Sequence, residues 1–66
     1  MGSTEKLILF SATLDRGEKL VLISQGDKLW IEKDGVPVDG CSWEISKMAL
    51  GVDEFRKLAK KLEKKV

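Results

Sequence analysis

Enzymatic chemistry needs side chains that move protons, attack carbonyls or hold metals, and this chain is short of all three. It has no histidine, no tyrosine and one cysteine, Cys41. Without an imidazole, no base of the usual kind is present to activate a serine or the thiol. A lone thiol cannot close an intrachain disulfide, and without histidine it cannot build a structural zinc site. Cys41 therefore reads as a small semi-buried or loop residue. The glycines stand singly at turns, so no phosphate-cradling loop is present. The carboxylates are spread about one per turn or strand, as on a surface, and gather into no metal site. The expectation is a protein that is not an enzyme and uses no cofactor or metal.

The residues left to do work are aromatic and cationic. In Lys28-Leu-Trp-Ile-Glu-Lys33 polar and apolar residues alternate, and Trp30 falls on the polar phase between Lys28 and Glu32. Such a tryptophan is a candidate stacking platform. Base stacking on an aromatic ring contributes roughly 1–3 kcal/mol per base while cations follow the phosphates. The competing reading makes both tryptophans, Trp30 and Trp43, ordinary core. Net charge is only +1, but it is unevenly placed: residues 1–52 carry six cations and eight anions, and residues 53–66 carry six cations and three anions. The simplest account of that basic end is a solvated helix face with lysines near its C-terminus, where they suit the helix dipole.

These side chains need elements to position them. Lys6 to Leu14 and Lys19 to Ser24 are rich in strand formers, as is Lys28 to Lys33. Asp15-Arg16-Gly17, Gln25-Gly26-Asp27 and Asp34-Gly35 supply turns after them. Val36 to Gly40, which holds the only proline, reads as a longer loop, and Ser42 to Leu50 as a fourth strand. Beyond Gly51, taken as the N-cap, Val52, Phe55, Leu58, Ala59, Leu62 and Val66 fall on one helical stripe, with Asp53 and Glu54 in the first turn. The fold class is α+β: a four-stranded antiparallel sheet followed by one C-terminal helix, ββββα. Residues 1–4 read as an N-terminal tail or cloning remnant, and residues 5–66 as the domain. No apolar run approaches the ~18 residues of a membrane helix and no signal peptide opens the chain, so a cytoplasmic or nucleoid-associated protein is expected.

Strand alternation then assigns faces. Leu29 and Ile31 belong under the helix, as do Met48 and Leu50 of the expected fourth strand. Trp30 and Lys28 emerge on the other side, with Trp43, Ile45 and Lys47. The second strand is apolar on both sides, Leu20 and Leu22 against Val21 and Ile23, and the first likewise sets Leu7 and Leu9 against Ile8 and Phe10. One helix of about fourteen residues covers one face only. A chain of this size buries only ~60% of its unfolded surface, and soluble monomers rarely leave a large contiguous apolar patch bare. A partner, a ligand or a second copy is expected on the uncovered face.

Met48-Ala-Leu-Gly-Val-Asp-Glu-Phe-Arg-Lys-Leu58 resembles the C-terminal half of the domain of the transcriptional coactivator positive cofactor four family. Leu50 matches that family's strand leucine, Glu54 an acidic position and Phe55 its aromatic, while Lys28 to Lys33 is similar to its third strand and Gln25-Gly26-Asp27 to the turn before it. The likeness spans residues 18–63. It implies a homodimer assembled through helices and strands that binds single-stranded or melted DNA with little sequence preference, a fold shared by phage and bacterial relatives. Carried over by position, Lys28 and Trp30 would face the nucleic acid, with Lys19 a weaker match. Strand phase, independent of the family, adds Trp43 and Lys47. Glu32 stands where an arginine is common, and Gly40 to Lys47 replaces a basic, glycine-rich stretch. The leading expectation is thus a homodimeric, non-catalytic protein that binds single-stranded DNA, or RNA, in a coactivator-like role. The alternative is a protein-interaction or structural dimerisation module using the open sheet face.

Overall fold

A computed structural model describes residues 5–63, and the side chains of 5–62. The expected tail at residues 1–4 and the stripe residue Val66 lie outside the described residues. The order is β1 (Leu7–Thr13), β2 (Lys19–Gln25), β3 (Lys28–Lys33), β4 (Val36–Glu44), a 3-10 turn (Ile45–Lys47) and α1 (Met48–Glu63). The strands form one antiparallel sheet in the order β1-β2-β3-β4, the meander expected of three short turns. This is the ββββα architecture.

Two expectations about its second half are corrected. The fourth strand is Val36–Glu44, not Ser42 to Leu50, and Val36 to Gly40 is strand rather than loop. The cause is the Asp34-Gly35 turn. Asp34 at φ 56 and Gly35 at φ 86 give two consecutive left-handed residues, which pair Lys33 directly with Val36 and leave no room for a longer connection. Pro37 is tolerated because β4 is an edge strand. The turn residues farther on are absorbed by a bulge: Trp30 lies opposite Ser42 and Glu32 opposite Pro37, so residues 38–41 face Ile31 alone, with Gly40 at φ 78.

The helix also starts earlier than the Gly51 cap implied. It begins at Met48, so Gly51 is helical and Asp53 and Glu54 lie beyond the first turn. Gly51 does something else there. A Cβ on it would sit 2.9 Å from Leu29 Cδ1 and 3.1 Å from Trp43 Cε3, so its missing side chain is what lets the helix lie close to the sheet.

That contact is the centre of the core. Leu20, Leu22, Leu29 and Ile31 are fully buried, and Phe55 and Cys41 close the cluster. Each such aliphatic side chain contributes roughly 1.5–3 kcal/mol on burial. Most of the stripe expected from sequence packs here: Val52, Leu58 and Ala59 lie against the cluster with Phe55, whereas Leu62, beyond the reach of the sheet core, is exposed. Met48 and Leu50 do not. Both are exposed, because they are helical rather than strand residues and point off the packed stripe. In β1 a one-residue bulge between Ile8 and Phe10 shifts the phase. Phe10 thereby turns to the helix side and stacks on Phe55 with ring centroids 6.0 Å apart, and Leu9 packs on the core as well.

Gly51→Ala is predicted to destabilise the protein. Helix propensity favours alanine by about 1 kcal/mol. Overpacking against the fully buried Leu29 costs about 1–3 kcal/mol. The urea midpoint should therefore fall by the equivalent of about 1 kcal/mol. A raised midpoint would mean that the helix stands farther from the sheet.

Candidate interaction surface

The face turned away from the helix is set by register. β1, β2 and β3 bring Ile8, Ile23 and Trp30 side by side, and β4 adds Ser42 opposite Trp30. The neighbouring row runs Ser11, Val21, Glu32, Pro37. Ile23 is buried at 5% exposure although it lies on the face away from the helix, while Ile8 at its side is 64% exposed. The indole of Trp30 is half-buried and does not swing freely: its Nε1 donates a 2.9 Å hydrogen bond to Glu32 Oε2 on the same face. Beside it, the β4 bulge shapes a recess of about 340 Å³ lined by Lys28, Trp30, Pro37, Val38 and Ser42 among others.

Of the five residues expected to meet nucleic acid, the structure gathers three. Lys19, Lys28 and Trp30 share the open face. Trp43 does not: it lies opposite Leu29 and packs on the core beneath the helix. Its expected placement is corrected because the strand begins at Val36 and the bulge resets the phase before residue 42. Lys47 is corrected too, since it sits in the 3-10 turn rather than on a strand, and Ile45 packs towards the core.

Charge on the open face is balanced. Glu44 lies directly opposite Lys28, and Glu32 lies four residues along β3 from it, so Lys19 and Lys28 meet two carboxylates on the same surface. The exposed cations of the helix, Arg56, Lys57, Lys60 and Lys61, belong to the element on the other side of the sheet. Lys57 there lies 3.8 Å from Asp53, both well exposed, a pair that adds little to stability. The basic end of the chain and Trp30 thus do not form one surface.

Sequence reasoning missed Ser42, Pro37 and the recess. Asp34-Gly35 held the signal for Pro37, since a two-residue turn obliges the next strand to start at once; Ser42 and the recess depend on the bulge that follows, which alternation from that turn does not foretell. Among the described residues no three acidic or cysteine side chains come together as a metal site, and no helix is long and apolar enough to cross a membrane. No protein-family model, curated protein or solved structure matches the chain.

Cys41 is buried on the helix side of β4. Burial pushes its thiol up from the ordinary range, and the charge of Glu54 adds to the shift. A raised thiol stays protonated longer in the folded state than in the unfolded one. Its contribution to stability is therefore complete below the ordinary thiol range and is lost as pH rises from that range through the raised folded value. Alkylation of the native protein by iodoacetamide at mildly alkaline pH should be at least about tenfold slower than in urea. Glu54→Gln should speed the native reaction. Equal rates in native and unfolded protein would contradict this burial.

Proposed function

We propose that this chain is a non-catalytic protein-interaction module whose binding surface is the open sheet face around Ile8, Ile23 and Trp30. One observation carries the reading: an apolar cross-strand row with an anchored tryptophan sits among at least as many carboxylates as cations. Charge balance removes the attraction for phosphates that dominates nucleic-acid affinity. Apolar rows centred on a tryptophan, with a polar rim, are the usual make-up of protein-binding surfaces. The recess beside Trp30 offers a place for one inserted side chain.

Single-stranded DNA is the second reading. It is favoured by the shared face of Lys19, Lys28 and Trp30 and by the resemblance to the positive cofactor four family. The two readings separate in one titration. In a Trp43→Phe background Trp30 is the sole reporter, and an unstructured oligonucleotide at low salt should leave its fluorescence unchanged. Quenching at micromolar protein that fades with added salt would decide for nucleic acid. For the protein reading, a photo-crosslinking residue at Ser42 should capture a defined polypeptide, and Trp30→Ala should weaken that capture by about tenfold. Capture indifferent to Trp30→Ala would sink it.

A further inference from the structure

The two edges of the sheet are unequal. β4 is guarded: Pro37 removes a backbone donor, residues 38–41 bulge out of register, and Asp39 and Glu44 are exposed along it. Proline, bulges and charge are the devices by which natural sheets prevent edge-to-edge pairing. β1 has none of the first or last. From Leu7 to Thr13 it carries no charge and no proline, and its bulge is of one residue, against the three extra residues of β4. Leu7 is 56% exposed, Ile8 64% and Phe10 42%.

We propose that β1 is the seam at which two copies of this chain meet, edge to edge and antiparallel about a two-fold axis, joining two four-stranded sheets into one of eight. Three observations select a second copy as the occupant. An isologous seam sets each residue against another of the same strand, and a strand without charge does so with no like-charge pair. The helix reaches β1 through the Phe10–Phe55 stack, which leaves Leu7, on the same side of the sheet, bare. The two-fold brings a second uncharged β1 strand to that gap, so the apolar layer on the helix side continues from one copy into the other. The length of the edge also suits a modest homodimer: a seam of two seven-residue strands is small beside the ~800 Å² per partner of a standard interface, so a weak, concentration-dependent dimer is expected. The seam is independent of what the open face binds, and it would make the two open faces one continuous surface.

Sedimentation equilibrium of the full chain tests it. The mass should rise from 7.4 kDa towards twice that value as concentration increases into the hundreds of micromolar. Leu7→Lys places a charge on the seam in both copies and should raise the dissociation constant at least about tenfold. Trp30→Ala, on the open face, should change it less than about twofold. Amide exchange supplies a reading that needs no variant: β1 amides should become more protected with concentration, while β4 amides should not. A mass fixed at 7.4 kDa, or a dimer indifferent to Leu7→Lys, overturns the proposal. So does concentration-independent protection of β1, which would mean that the chain covers this edge itself.

Discussion

One face of the sheet carries Leu20, Leu22, Leu29 and Ile31, and among the described residues a sixteen-residue helix is the main element that keeps water from them. The helix succeeds because it lies very close at one point, where Gly51 sits over Leu29 and Trp43. From there its stripe runs through Phe55 and Leu58 across β2 to β4. What it gains in closeness it loses in breadth: β1 is met at its Phe10 ring while Leu7 stays exposed, and the helix lies on one face of the sheet. The open face and the bare edge are consequences of that geometry rather than separate features.

The two tryptophans illustrate how position within the sheet decides role. Trp30 and Trp43 are of one type and lie on adjacent strands, yet one is held to Glu32 on the uncovered side and the other fills the core under the helix. The difference comes from the three extra residues that β4 inserts opposite Ile31. The bulge turns Val38, Cys41 and Trp43 inward and leaves Pro37 and Ser42 outward, and it hollows the recess beside Trp30. The same irregularity guards the β4 edge. β1, with a bulge of one residue, has neither the proline nor the charges of that edge.

Much of the fold was legible in the sequence because it rested on short-range signals. Alternation placed Leu29 and Ile31 correctly, and the three- and four-residue spacing of Val52, Phe55, Leu58 and Ala59 named the packed stripe. The surface was less legible, for physical reasons. Bulges break period-two reasoning: one residue in β1 turned Phe10 inward, and three in β4 did the same for Trp43. Met48 and Leu50 looked like strand because their types suit either state, and only packing of the helix decides between them. Lys47 lost its place on the sheet with that same boundary. The residues read correctly onto the open face, Lys19, Lys28 and Trp30, belong to strands whose pairing with each other is regular.

The central claim is that the helix and Trp43 share one side of the sheet while Trp30 lies on the other. Nuclear Overhauser contacts from the two indole rings test it most directly. Ring protons of Trp43 should show contacts to Gly51 and to the Leu29 methyls, and those of Trp30 should show contacts to Ile23 and none to any helix residue. Contacts between the Trp30 ring and the helix would contradict the account at its root.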